Sequence, residues 1–142
     1  MKKIPFYILC CVFVACSSQT TNNKNVETAH AMFDAFNRHD WNAMTNYYSE
    51  SASFLDPSFG HEYITKSRQE TAAKYAEMQK MFPDIHDELV GVYPSGDKVI
   101  VEFVSTGSIS DSVKFSLPIV TVLTFENGLI IKDATYYDLE NP

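Results

Sequence analysis

One carboxylate in the sequence lies where acid–base chemistry could be carried out. Asp56 follows the strand-like run Ser51–Leu55 and precedes Pro57, whose ring disfavours helical geometry at the residue before it. An acid that is fixed at the end of a strand, with Phe59 close by, could face an apolar pocket. In such a setting a carboxyl group can act as a general acid or base. We therefore take Asp56 as the centre of the candidate site.

Three segments with helical spacing would have to pack against this strand. Apolar residues recur at intervals of three and four from Val26 to Arg38, which predicts an amphipathic helix. Asp40 is a suitable N-cap for a short second helix, and Ser67 with Glu70 forms a capping box for a third helix that Pro83 ends. The second helix has an aromatic buried side, to which we assign Trp41, Met44, Tyr47 and Tyr48.

After Pro83 the apolar period changes from 3.6 to 2, which indicates strands. The predicted strands are Ile85–Tyr93, Lys98–Ser110, Val113–Glu126 and Leu129–Asp138. Asn127-Gly128 is a strong hairpin signal because both residues tolerate positive φ. Helices early and a strand meander late predict an α+β domain with helices on one face of a curved antiparallel sheet. Such a sheet forms a cone with a mouth and an apolar interior, which is a usual setting for small-molecule sites.

The N-terminus has the layout of an export signal. Two lysines precede a short apolar run, and Ala15 precedes Cys16. The stretch Phe13–Ser17 resembles the lipobox of bacterial lipoproteins, in which the cysteine is lipidated; a plain signal peptide with a chance cysteine is the alternative. We therefore expect a signal peptide over residues 1–15, the lipidated Cys16 and a flexible tether over residues 16–25, and one domain over residues 26–142.

Cysteine positions and net charge limit the kinds of site and partner that the domain could have. All three cysteines lie in or beside the signal segment, so the domain itself has no disulfide, no thiol nucleophile and no cysteine-based metal site. Removing Lys2 and Lys3 changes the formal net charge from −7 to −9. An acidic domain is a poor partner for nucleic acid or for anionic lipid surfaces. We expect an exported protein that is held at a bacterial envelope membrane by its lipid anchor alone.

Several short motifs, in this order and spacing, carry a resemblance to a known family. They are Phe54-Leu55-Asp56-Pro57, Met81-Phe82-Pro83-Asp84, Gly96-Asp97-Lys98-Val99, Phe125-Glu126-Asn127-Gly128-Leu129-Ile130 and Tyr136-Tyr137-Asp138. From Val26 to Asn141 the chain resembles the SnoaL-like members of the nuclear transport factor 2-like superfamily, which include ketosteroid isomerases, polyketide cyclases and limonene epoxide hydrolases. The resemblance implies a cystatin-like α+β cone, an apolar small-molecule ligand, no cofactor and a homodimer through the sheet face.

Only some catalytic residues of the ketosteroid isomerases have a counterpart in this sequence. The resemblance makes Asp56 the general base that moves a proton between carbons. The oxyanion tyrosine of ketosteroid isomerases falls at Met32, which cannot donate a hydrogen bond, and the second oxyanion donor falls at Thr121. Because enolate stabilisation is a large term in such catalysis, we do not expect steroid isomerisation. The pocket-facing aromatic residue of the family matches Tyr137.

A second carboxylate could share the interior with Asp56. Alternation along the last strand places Asp133 and Thr135 on the same face as Tyr137. Two carboxyl groups in an apolar cavity would have their pKa values pushed apart, so that one acts as acid and the other as base. The alternative is that Asp133 is solvated just after the hairpin. Our predicted catalytic pair is Asp56 and Asp133, and the predicted pocket lining is Met32, Trp41, Tyr48, Phe54, Thr121, Thr135 and Tyr137.

The histidines give no second site. His61, next to Gly60, could assist Asp56 or could be an exposed loop residue. His86 and Glu88 alternate away from Asp87, so these residues do not predict a metal site. Two functional classes stay open from the sequence. One is a cofactor-free enzyme that transfers a proton or adds water, and the other is a non-catalytic ligand-binding or assembly module.

Overall fold

A computed structural model describes residues 15–110 and 113–138, without the side chains of residues 15–20 and Phe59. Most of the predicted signal segment, with Cys10 and Cys11, lies outside the described residues. The helices are α1 (Ala15–Asn37), α2 (Trp41–Thr45) and α3 (Arg68–Met81), with a 3₁₀ turn at Pro57–Phe59. The strands are β1 (Tyr48–Leu55), β2 (Ile64–Ser67), β3 (His86–Ser95), β4 (Lys98–Ser110), β5 (Val113–Glu126) and β6 (Leu129–Tyr136).

The predicted α+β class is confirmed, and the helices cover a curved six-stranded sheet. The strand order is β2-β1-β6-β5-β4-β3. The expectation of a purely antiparallel sheet was wrong, because β1 and β6 pair in parallel. The chain leaves β1 through β2 and α3, starts again at the far edge with β3, and returns by a meander to β1. This return brings the first and last long strands side by side.

Local signals in the sequence set several element ends as predicted. Ser67 and Glu70 form the reciprocal capping box at the start of α3, and Asp40 caps α2. Asn127 and Gly128 both have positive φ, at 52° and 79°, in the hairpin between β5 and β6. The buried face of α1 also matches the prediction, and Phe33 packs edge-on against Phe103 of β4 at 4.9 Å between ring centroids. This face of α1 contributes Ala29, Met32, Phe33 and Phe36 to the core.

Helix α1 begins at Ala15 and not at Val26, so the stretch that we expected to be a flexible tether is helical. Asn25 is only 3% exposed, and Lys24 passes close to Gly128 in the β5–β6 hairpin. The polar sequence has little intrinsic reason to form a helix. Helices in proteins gain most of their stability from tertiary packing, and this stretch continues directly into the packed part of α1 from Ala29 onward. Cys16 lies within the bounds of α1.

Two local assignments differ from the sequence prediction. Tyr48, which we placed on the second helix, is the first residue of β1, because α2 ends at Thr45. Strand β2 was not predicted; it pairs antiparallel with β1, with Phe54 opposite Ile64. Four residues are too few to show a period. Within the described residues, no helix is both long and apolar enough to cross a membrane.

Candidate functional site

Strand pairing brings the polar residues of the interior together. Phe54 is paired with Asp133 across the parallel β1–β6 ladder, which places the end of β1 beside β6. On the other side of β6, Thr135 is paired with Thr121 of β5. Since side chains alternate between the two faces of a sheet, Asp133, Thr135 and Thr121 share the concave face that the helices cover.

The carboxylate of Asp56 is held by residues from three separate parts of the chain. Its Oδ1 accepts hydrogen bonds from the Ser58 amide at 2.8 Å, the Ser58 hydroxyl at 2.6 Å and the Tyr137 phenol at 2.8 Å. Its Oδ2 lies 3.2 Å from the Lys74 ammonium of α3. Asp56 therefore caps the 3₁₀ turn and also ties the end of β1 to α3 and to the chain after β6.

These contacts keep Asp56 charged. Burial by itself raises the pKa of Asp56, but the positive charge of Lys74 and the hydrogen bonds from Ser58 and Tyr137 outweigh it, so that the pKa lies below its ordinary value. Burial lowers the pKa of Lys74 below its ordinary value, although Asp56 partly opposes this. Burial, with the hydrogen bond to Asp56, raises the pKa of Tyr137 to about 12. Near neutral pH, Asp56 is ionised and Tyr137 donates its proton.

Asp133 faces the interior, which excludes the alternative of a solvated residue after the hairpin. It is 7% exposed, and its Oδ2 accepts a hydrogen bond of 2.8 Å from the Tyr48 phenol. Its Oδ1 accepts hydrogen bonds from Thr121 at 2.5 Å and from Thr135 at 3.0 Å. Burial raises the pKa of Asp133 in spite of these donors, and the charge of Asp56 raises it further.

The two interior carboxyl groups therefore have pKa values shifted in opposite directions. The pKa of Asp56 is lowered because a cation contacts it, and that of Asp133 is raised because burial dominates. This is the separation that an acid–base pair needs. Each carboxyl has its own hydrogen-bond partners. Catalytic roles for both residues stay a prediction.

A small cleft of about 70 Å³ opens between α3 and the β1–β2 hairpin. Lys74 lies on its wall, so the Asp56–Lys74 ion pair adjoins this space. The cleft is lined by Phe54, Lys66, Glu70, Thr71, Lys74 and Tyr75. Of the lining residues that we predicted, Phe54 faces this cleft.

The other predicted lining residues are used in packing or hydrogen bonding. Met32, Trp41, Tyr48 and Thr121 are buried. Trp41 stacks on Tyr75 at 5.7 Å and donates a hydrogen bond to Gln79. Met32 lies beside the Tyr48 phenol, 3.9 Å from its oxygen. Thr135 and Tyr137 contact the two carboxylates, as described above.

Sequence reasoning missed Lys74, Ser58 and Tyr75 as site residues. Lys74 stands next to Tyr75 on the apolar side of α3, and a lysine at such a boundary can lay its stem along the core. That position is the signal from which Lys74 could have been predicted as a site residue. Burial raises the pKa of Tyr75 well above its ordinary value, and the charges of Asp133 and Asp56 add to this effect.

The histidines do not join the site. His61 and His86 are exposed. His39 bridges the Ile85 carbonyl and Gln79, at 2.8 and 2.9 Å. Over residues 15–110 and 113–138, no three His, Cys, Asp or Glu side chains are grouped so that they could hold a metal ion.

Solved structures share this fold at low sequence identity. A protein with a ketosteroid isomerase-like fold from Catenulispora acidiphila, in complex with trimethylamine, is 24% identical, with a TM-score of 0.71 over 80% of this chain and 86% of that chain. A protein from Jannaschia sp. described as a SnoaL-like polyketide cyclase is 20% identical, with a TM-score of 0.71 over 84% and 89%. An LEH-like epoxide hydrolase from Mycobacterium tuberculosis is 15% identical, with a TM-score of 0.71 over 84% and 86%.

The fold class is thus that of the ketosteroid isomerase-like proteins. The chain belongs to the SnoaL-like domain family, whose model matches residues 29–132. The predicted family is thereby confirmed. No curated protein sequence matches the chain.

Proposed function

We propose that the protein binds a small, mainly apolar organic molecule at the cleft beside α3 and transfers a proton on it, with Asp56 as the base. One observation carries the proposal: the ionised carboxylate of Asp56 contacts Lys74, a residue of the cleft wall. A fixed carboxylate next to an apolar cleft can accept a proton from a bound molecule. The reaction class is isomerisation, cyclisation or water addition without a cofactor.

The fold by itself does not select the reaction. Proteins of this fold are described as polyketide cyclases and as epoxide hydrolases. A shared fold supports many chemistries, so the proposal rests on the residues around Asp56 and not on the neighbours. Those residues supply an ammonium and a phenol, each within hydrogen-bond reach of the Asp56 carboxylate.

Proton transfer can be tested without knowing the natural substrate. Small ketones such as acetone and cyclopentanone are incubated with the folded domain in D₂O, and exchange of their α-hydrogens is followed by NMR. We expect exchange above the buffer rate, and loss of it in Asp56→Asn. Asp97→Asn is the matched control, because Asp97 is an exposed acid paired with Lys98. Exchange that is equal in wild type and Asp56→Asn would contradict the role of Asp56.

The second candidate function is ligand binding without catalysis. Its specific support is that both oxygens of Asp56 already have partners and that Met32 stands where an oxyanion donor would be needed. Ligand-observed NMR with the same ketones separates the two candidates. Binding that is retained in Asp56→Asn, with no hydrogen exchange in either protein, favours the binding module.

We propose further that the protein is exported and lipid-anchored through Cys16. The support is the signal-like layout of residues 1–15 and the lipobox-like stretch that ends at Cys16. In a bacterial host, Cys16→Ser should be released from the membrane fraction as soluble protein. Retention of Cys16→Ser in that fraction would contradict the anchor.

We also propose a homodimer through the outer sheet face. Ile100, Val104, Val120 and Val122 are half-buried there, and Tyr93 and Tyr136 are more than half exposed, at 52% and 53%. An apolar sheet face of this kind favours a partner. Sedimentation velocity should show a dimer for the wild type and a monomer for Val122→Lys. A wild-type monomer at high concentration would contradict the proposal.

A further inference from the structure

The interior lacks a donor for an enolate oxygen at the two positions where relatives would supply one. Met32 cannot donate a hydrogen bond, and the Thr121 hydroxyl is engaged with Asp133 Oδ1 at 2.5 Å. Asp56 is in addition a weakened base, because Lys74 and its hydrogen-bond donors stabilise the charged form. Removal of a proton next to a carbonyl group therefore needs another means of taking up the electron pair.

Lys74 is placed to take up this electron pair. Its side chain is 29% exposed, and its amine lies 3.2 Å from Asp56 Oδ2 and 5.4 Å from the centre of the Tyr75 ring. Phe54 and Tyr75 line the same cleft. The exposed lysines differ: Lys98 pairs with its neighbour Asp97, and Lys80 pairs with Glu77 on the surface of α3, with side chains 47% and 70% exposed. A partly buried amine on an apolar wall is a setting in which lysines become nucleophiles, because burial disfavours the ammonium form. Asp56 opposes this effect, but it is placed to accept and return the protons of the amine.

We propose that the Lys74 amine forms an imine with a small aldehyde or ketone in the cleft, and that Asp56 carries the protons. The inference rests on the proposed function and narrows its substrate class to carbonyl compounds that bear an α-hydrogen. The site would then act on the carbon next to the imine.

The steps balance without any oxidant or reductant. The Lys74 ammonium gives a proton to Asp56, and the free nitrogen lone pair attacks the carbonyl carbon, whose π electrons move to oxygen. Protons returned through Asp56 convert that oxygen to water, which leaves. The ammonium and the carbonyl compound have then become a protonated imine and one water. Asp56 next removes the α-hydrogen, and the C–H electron pair moves toward the iminium nitrogen to give an enamine. Protonation of the enamine and addition of water reverse the sequence and release the carbonyl compound and the ammonium.

This route explains how a weak base could suffice. The protonated imine takes up the electron pair that an enolate oxygen would otherwise carry, so no oxyanion donor at Met32 or Thr121 is required. Since burial lowers the pKa of Lys74, more of its amine is neutral at a given pH than that of a surface lysine.

Imine formation is tested by reductive trapping. The folded protein is incubated with acetone or propanal and sodium cyanoborohydride near pH 8, and each lysine is followed by peptide mass spectrometry. We expect Lys74 to be alkylated severalfold faster than Lys98 or Lys80, because it lies on the wall of the cleft that would hold the carbonyl compound and because burial lowers its pKa. Alkylation of Lys74 no faster than of Lys98 would overturn the inference.

A conservative variant separates covalent from electrostatic roles. Lys74→Arg keeps a cation beside Asp56 but cannot form an imine, and Lys98→Met is the matched surface control. We expect Lys74→Arg to fold, to lose labelling at position 74 and to lose ketone hydrogen exchange, while Lys98→Met keeps both. If exchange depends on Asp56 but persists in Lys74→Arg, the proposed function stands and the imine is refuted. If wild type shows neither trapping nor exchange, both are refuted.

Discussion

The Tyr137 phenol donates a hydrogen bond of 2.8 Å to Asp56, a residue 81 positions earlier in the sequence. The contact exists because β1 and β6 run in parallel, with Leu55 opposite Ala134, so that the chain beyond each strand emerges at the same edge. Lys74 then reaches the other carboxylate oxygen from α3. The site is therefore built from the ends of two strands and the middle of one helix.

The ionisation of Asp56 should depend on Lys74. In Lys74→Met the cation that lowers the pKa of Asp56 is gone, so we expect the midpoint of Asp56, followed by carboxyl NMR, to move up from its wild-type value. The pKa of Asp56 is lower in the folded protein than its ordinary value of 3.8. Ionised Asp56 therefore stabilises the fold fully at pH values above 3.8, and this contribution is lost as the pH falls through the folded pKa. Lys80→Met, which removes a surface partner of Glu77, should leave the midpoint of Asp56 unchanged.

Asp87 should give stability the opposite pH dependence. It is 6% exposed, and among the described residues its Oδ1 is the one buried side-chain oxygen or nitrogen without a hydrogen-bond partner. Burial raises the pKa of Asp87 from 3.8 to about 7, although Ser105 donates a hydrogen bond to it. The folded state therefore keeps a proton that the unfolded state loses, and stability falls as pH rises between these two values.

Asp87→Asn should remove this dependence. As pH rises from 4 to 8, the unfolding free energy of the wild type should fall by on the order of 4 kcal/mol relative to that of the variant, since each pKa unit is worth about 1.4 kcal/mol. Urea denaturation at a series of pH values measures it. If the unfolding free energy changes with pH in the same way in the wild type and in Asp87→Asn, the prediction is contradicted. Asp97→Asn, an exposed acid, serves as the control.

The Tyr48–Asp133 hydrogen bond should matter for stability. Tyr48→Phe leaves Asp133 Oδ2 buried without its 2.8 Å donor, which should cost about 1–3 kcal/mol of unfolding free energy. Tyr93→Phe removes an exposed phenol that bonds Glu102 at 3.2 Å, and should change stability by less than about 0.5 kcal/mol. Equal effects in urea denaturation would show that the buried hydroxyl is not required.

The capping box of α3 should be measurable by itself. Ser67→Ala removes the hydroxyl that accepts a hydrogen bond from the Glu70 amide, and should cost about 1 kcal/mol of unfolding free energy. Ser49→Ala removes an exposed hydroxyl that bonds the nearby Ser51 carbonyl, and should have little effect. Thermal or urea denaturation compares the two. A loss in Ser67→Ala no larger than in Ser49→Ala would contradict a stabilising cap.

Local chemistry allowed much of the fold to be predicted from sequence. The hydroxyl and carboxylate of Ser67 and Glu70, three residues apart, specify a helix start without any distant contact, and Asn127-Gly128 specifies a hairpin in the same way. The period of two along β4 and β5 needs no tertiary knowledge either. Alternation along the last strand also placed Asp133 on the same face as Tyr137, but the sequence left a solvated Asp133 open, and the structure shows that Asp133 is buried.

Only the tertiary structure decided the rest, because it depends on residues far apart in the sequence. Residues 17–25 are helical and Asn25 among them is buried, which their polar composition does not reveal. The parallel pairing of β1 with β6 is a matter of topology. Likewise, the sequence marked Asp56 as an acid at a strand end, but its charge is set by Lys74, which α3 brings to it across 18 residues. Coulomb interaction depends on distance in space, and the fold decides that distance.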